Sequence, residues 1–91
     1  MASPNRYAQR KDANQKDIVM CLEALGFDVI TMHTPTDLLL GRAGRTYCIE
    51  VKDGEKKKYT PAQIKFNATW RGHRATIRSV GDAIQWASVT K

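Results

Sequence analysis

The stretch DLLLGRAGRTYCIEVK, residues 37–52, decides the architecture. Residues 37–41 and 46–52 are two strand-forming runs on either side of Arg42-Ala43-Gly44-Arg45, a pattern that predicts a β-hairpin. With the turn centred on Ala43 and Gly44, Gly41 faces Thr46 and, further along, Asp37 faces Glu50. Two carboxylates thereby become cross-strand neighbours. Opposed Cβ atoms in an antiparallel pair lie roughly 5 Å apart, and like charges at that separation are destabilising unless something compensates them. A divalent cation does so. Side chains alternate along a strand, so Cys48, Glu50 and Lys52 share one face while Tyr47, Ile49 and Val51 form the other, apolar one.

On the N-terminal side, residues 1–11 read as a basic flexible arm, and a single domain is expected over residues 12–91. Asp12 offers an N-cap with Gln15 at the third helical position. Ile18, Leu22 and Leu25 then recur at helical spacing up to Gly26. Residues 27–33 are β-rich and Pro35 interrupts them. On the C-terminal side, residues 53–59 form a charged loop. Thr60 caps a second helix with Pro61 at its first position, Phe66 and Trp70 lie on one of its faces, and Gly72 is expected to end it. Residues 73–78 read as a short strand, and Ser79 with Asp82 opens a last helix carrying Ile84 and Trp86. The order αβββαβα points to a mixed α/β or α+β layer rather than a Rossmann fold. The sequence lacks a Gly-rich phosphate fingerprint, so no nucleotide cofactor is expected.

The 91 residues have ordinary globular proportions, 42% hydrophobic and 26% charged, which speaks against a disordered tail or a fibre. No apolar run approaches the roughly 20 residues of a membrane span, so no membrane partner is expected. The first eleven residues have no apolar core of a secretory signal, and an intracellular location follows as the expectation. Two cysteines, Cys21 and Cys48, make no disulfide framework. The net charge of +6 is uneven: residues 1–45 carry six basic and five acidic side chains, residues 46–91 nine and four. A polyanionic partner is indicated, with Lys56, Lys57, Lys58, Arg71, Arg74 and Arg78 as the candidate phosphate contacts. The lysine run taken alone reads equally as a solvated loop.

An Asp, a Glu and a Lys converging on one sheet face suit metal-assisted phosphodiester hydrolysis. Carboxylate oxygens bind Mg²⁺ or Mn²⁺, the metal acidifies water and neutralises the phosphate, and an ammonium orients the nucleophile. The competing account is a turn aspartate and an ordinary Glu/Lys pair on a solvated strand. Gln15 and Gln63 add to the first account, because each lies three and seven residues before apolar helix positions and so shares their face. Each also fits the third position of a capping box, closing on Asp12 and Thr60 respectively.

Taken together, DANQKDIV at residues 12–19, Pro35-Thr36-Asp37, GRAGRTYCIEVKDG at residues 41–54 and TPAQIKFNATW at residues 60–70 resemble the virus-type replication-repair nuclease (VRR-NUC) domain of the PD-(D/E)xK superfamily. The resemblance covers nearly the whole chain and is to the small stand-alone phage and bacterial members. It implies a restriction-endonuclease-like core and a metal-dependent DNA endonuclease. Asp37 and Glu50 become metal ligands, the Val51 carbonyl a further ligand, Lys52 the partner of the attacking water, and Gln63 an accessory catalytic residue. It also implies a homodimer acting on branched DNA such as four-way junctions, in a bacterial cytoplasm and in some cases phage-encoded. Two departures stand out. Thr36 replaces the proline that usually precedes the motif aspartate. Gln15 occupies the place where relatives commonly carry a glutamate, and its neutral amide offers the metal an oxygen but one negative charge fewer.

Three other readings compete for the same residues. A nuclease fold without chemistry would bind DNA only. A zinc-stabilised module would use Cys21, Cys48, His33 and His73, but no pair of these has finger-like spacing. A structural adaptor would use Trp70 and Trp86 as anchors, although aromatic residues at helical spacing are more often core.

Overall fold

The computed structural model describes the backbone of residues 6–53 and 59–90, and side chains from residue 13 onward. Seven elements follow in the expected order: α1 (Arg6–Ala24), β1 (Asp28–Thr31), β2 (Leu38–Arg42), β3 (Arg45–Val51), α2 (Pro61–Thr69), β4 (His73–Ile77) and α3 (Val80–Val89). The strands form one mixed sheet in the order β1-β2-β3-β4, with β4 parallel to β3 and the other pairs antiparallel.

The hairpin forms in the expected register, with Gly41 opposite Thr46 and Leu38 opposite Ile49. Ala43 and Gly44 both have positive φ, 55° and 78°. That is the conformation a two-residue turn needs to match the twist of its strands, and glycine adopts it without a Cβ penalty.

Helix α1 begins at Arg6, so residues 6–11 are helical rather than part of an arm, and Asp12 and Gln15 lie within the helix instead of capping it. The cause is local. Arg, Tyr, Ala, Gln and Lys at positions 6–11 include no helix breaker, and a favourable N-cap residue does not oblige the helix to start there. Residues 1–5 of the expected arm lie outside the described residues. At its other end α1 closes as read: Gly26 has φ 93°, its N–H donates to the Glu23 carbonyl at 3.0 Å, and the Phe27 N–H reaches the Leu22 carbonyl at 3.1 Å. This is a Schellman cap, with Leu22 and Phe27 both buried as its apolar contact.

One face of the sheet makes the core. Leu38 and Leu40 of β2, Tyr47, Ile49 and Val51 of β3 and Ile77 of β4 pack against Ile18 and Leu22 of α1 and Ala83 and Ala87 of α3. Trp86 joins them, its ring 5.2 Å from Phe27 and 5.3 Å from Tyr47, whereas Ile84 faces outward and is 51% exposed. Arg42 ties this layer together. Its guanidinium lies 3.9 Å above the Phe27 ring and donates to the carbonyls of Leu25 and Thr90, at the C-terminal ends of α1 and α3. A cation there also meets the negative ends of both helix dipoles. No helix among the described residues is long and apolar enough to cross a membrane.

Candidate active site

The second face of the sheet carries the polar residues, and Gln63 in the first turn of α2 reaches it. Glu50 and Lys52 are 4% and 5% exposed, so their charges are held by the protein and barely by bulk water. Buried ionic groups of this kind are tolerated when fully hydrogen-bonded. Among the described residues no buried side-chain nitrogen or oxygen lacks a partner.

Gln63 is the junction. Thr60 caps α2 by accepting the Gln63 N–H at 3.2 Å, and Gln63 Oε1 returns the contact by accepting the Thr60 N–H at 2.9 Å. The same Oε1 accepts from Lys52 Nζ at 2.7 Å, and Gln63 Nε2 donates to Glu50 Oε1. The amide orientation is chemically determined, since its oxygen faces two donors and its nitrogen an acceptor. The capping box and the site role are therefore compatible, and the cap fixes the residue that bridges Glu50 and Lys52.

Asp37 stands one residue before the regular ladder and accepts the Val51 N–H through Oδ2 at 2.8 Å. Its own carbonyl accepts the Met32 N–H at 2.7 Å, so the residue is held from β1 and from β3. In a strand the N–H and C=O of one residue project to the same side. The Val51 carbonyl therefore projects toward β2, the side on which Asp37 lies. Thr36 is buried and donates its hydroxyl to the Leu38 carbonyl at 3.2 Å.

Asp37, Glu50 and the Val51 carbonyl are hard oxygen donors, the type that Mg²⁺ and Mn²⁺ prefer. Among the described residues no group of three or more His, Cys, Asp or Glu side chains is placed to hold a metal. Two carboxylates nevertheless fit Mg²⁺, which is commonly held by one or two carboxylates together with waters and substrate phosphates. Gln15 is half-buried and lines a groove of about 330 Å³ with Lys16, Val19, Met20 and Thr31. Thr31 is the register partner of Leu38, which follows Asp37.

Three side chains went unnoticed in the sequence. Asn14 donates to the carbonyls of Lys52, at 3.4 Å, and Arg78, at 3.0 Å, and so stitches the ends of β3 and β4 to α1. Tyr59 and Thr76 share a hydroxyl contact of 2.6 Å, with the Tyr59 ring 5.2 Å from Lys52 Nζ. The one available signal for Asn14 was a polar residue a helical turn before buried Ile18.

Of the expected phosphate contacts, Arg71 is exposed between α2 and β4, Arg74 lies on β4 and Arg78 follows it. Arg74 reaches Thr76 Oγ1 at 3.3 Å, and Thr76 is the register partner of Glu50. Lys56, Lys57 and Lys58 lie outside the described residues. Helix α2 ends at Thr69 with Trp70 extended, and Gly72 serves otherwise than as its stop. A Cβ at Gly72 would approach the Trp70 indole to 2.7 Å, so the glycine makes room for that ring. Trp70 remains 45% exposed and stacks on Phe66 at 5.2 Å.

In overall structure the chain is similar to a solved VRR_NUC domain, with a TM-score of 0.76 at 22% sequence identity, over 89% of this chain and 97% of that one. No family model and no curated protein matches the sequence. At that identity the likeness establishes the fold, a VRR_NUC-type α/β layer in the order αβββαβα.

Proposed function

We propose that the protein is a divalent-metal-dependent endonuclease that hydrolyses DNA phosphodiester bonds. The observation that carries this reading is the contact chain from Glu50 through Gln63 to Lys52. It places a carboxylate and an ammonium on one bridging amide, next to the strand end where Asp37 is anchored. Asp37, Glu50 and the Val51 carbonyl would hold Mg²⁺ or Mn²⁺. When bound, the cation supplies Lewis-acid charge neutralisation at the phosphate and acidifies water. Lys52 holds and orients the attacking water, and Gln63 keeps Lys52 aimed while restraining Glu50. A capped helix end and a strand carry these groups, so their geometry is preorganised.

DNA is the substrate class favoured by the +6 charge and by Arg71, Arg74 and Arg78 distributed along the β4 side of the sheet. Branched DNA and a homodimer extend the reading, since a twofold pair of sites suits the related strands of a four-way junction. Met20 and Ile84, exposed on the packed pair α1 and α3, offer apolar area for such a dimer. Incubation with duplex, flap, single-stranded and four-way-junction DNA in Mg²⁺, Mn²⁺ or EDTA tests the activity, and sedimentation at micromolar concentration tests the assembly. Metal-dependent cutting fastest on the junction, by a dimer, is expected. A monomer, or equal cutting of linear duplex, removes the corresponding half.

The second reading, a nuclease fold that binds DNA with weak or no cleavage, is favoured by the amide at Gln15, which supplies no charge for a cation. Tight junction binding without cutting in either metal would select it.

A further inference from the structure

We infer that Tyr59 is a positioning residue for Lys52 and that Thr76 holds it in place; its effect on turnover rests on the nuclease reading above. Tyr59 is half-buried and directly precedes Thr60, the cap of α2. Its hydroxyl meets Thr76 Oγ1 at 2.6 Å, and Thr76 is the register partner of Glu50 across the parallel β3–β4 pair. Arg74 donates to the same Thr76 oxygen at 3.3 Å, which steadies the threonine from a second side. The Tyr59 ring lies 5.2 Å from Lys52 Nζ, within the range of a cation–π contact. The ammonium therefore sits between an aromatic face and the Gln63 amide oxygen.

The contacts close on themselves: Glu50 to Gln63, Gln63 to Lys52, Lys52 to Tyr59, Tyr59 to Thr76, and Thr76 back to Glu50 through the sheet. A lysine ammonium is a point charge on a flexible four-carbon stem, and a single hydrogen bond leaves it free to swing. An anchored ring removes that freedom without competing for its protons, so the donors remain available for water. Tyr59 acts on the reaction only through Lys52.

The test uses the full chain with Tyr59→Leu, Tyr59→Phe, Thr76→Val and the Tyr59→Phe/Thr76→Val pair, assayed on a four-way junction in Mg²⁺. Tyr59→Leu is expected to lower kcat about tenfold, the size of a partly desolvated cation–π contact, with junction Kd within about twofold of wild type. Tyr59→Phe gives a smaller loss, and Thr76→Val one at least as large, since it also removes the Arg74 contact. The pair loses no more than Thr76→Val alone, because that variant already removes the Tyr59 hydroxyl contact. The readout independent of cleavage is the NMR position of the Lys52 ε-protons, displaced upfield by the ring in wild type and relaxed in Tyr59→Leu. Unchanged Lys52 resonances, additive losses in the pair, or a Kd loss matching the kcat loss overturn the inference. If Tyr59→Leu fails to fold, Tyr59→Phe and Thr76→Val carry the same readings. A wild type that cuts nothing, with the Lys52 displacement still lost in Tyr59→Leu, overturns the nuclease reading and supports the positioning role.

Discussion

Asp37 accepts the backbone N–H of Val51 through Oδ2 at 2.8 Å, so a side chain just before β2 takes over the ladder where β3 outruns it. The contact gives Asp37 a structural duty beside its proposed metal duty, and substitution separates the two. Asp37→Asn keeps an oxygen for the Val51 amide and should fold like wild type. Asp37→Ala leaves that N–H unsatisfied, at a cost of about 1–3 kcal/mol. Thermal melts should place Asp37→Ala roughly 5–20 °C below Asp37→Asn, while both lose cleavage. Equal melting points would remove the structural duty.

Lys52→Ala should reduce turnover far more than junction affinity, since the ammonium is assigned to water rather than to a distant phosphate. Single-turnover rates and binding isotherms on the same DNA check it. Parallel losses in both would make Lys52 a phosphate contact.

Gln63→Ala removes the bond to the Thr60 N–H, worth about 1 kcal/mol, together with the contacts to Lys52 and Glu50. It should melt lower and also cut more slowly. Gln63→Glu retains the cap oxygen but sets a carboxylate against Glu50. Its activity loss should therefore exceed what its melting point explains. A Gln63→Glu enzyme as active as wild type would leave Gln63 a capping residue only.

Arg42→Ala should cost about 2–3 kcal/mol, from two carbonyl contacts and a cation–π contact that bind α1 and α3 to the hairpin. Because Arg42 lies at the hairpin turn, opposite the strand ends that bear Asp37 and Glu50, kcat below the melting range should stay at the wild-type value. Denaturant melts and one rate measurement decide it.

Affinity for DNA should fall steeply with salt, and each phosphate contact removed should lower the slope of log K against log salt by about 1. Neutralising Arg71 and Arg74 tests the β4 side, and neutralising Lys56, Lys57 and Lys58 tests the lysine run. An unchanged slope assigns the altered group to bulk solvent.

The features legible in the sequence are those fixed by short-range chemistry. A two-residue turn at Ala43-Gly44 sets the hairpin register, which the structure follows from Arg42 opposite Arg45 to Leu38 opposite Ile49. Thr60-Pro61-Ala62-Gln63 announces its capping box, and Gly26 its helix stop. The start of α1 was not legible, because nothing at positions 6–11 forbids or enforces a helix. Tyr59 with Thr76 was hidden for a different reason. Their meeting depends on which strand lies beside β3 and in which direction, a consequence of the α2 crossover that no local pattern specifies. Trp86 and Ile84 read alike at helical spacing, yet only the indole reaches Phe27 and Tyr47, since the buried stripe of α3 passes through Ala83 and Ala87.

The most direct measurement of the central claim is strand cleavage of a four-way junction by wild type and Glu50→Gln side by side, in Mg²⁺, in Mn²⁺ and in EDTA. The account predicts cutting by wild type in at least one metal and none in EDTA. It also predicts a loss of more than about a hundredfold in Glu50→Gln, with junction binding retained. Cleavage that persists in EDTA, or a Glu50→Gln protein that cuts as fast as wild type, would contradict it.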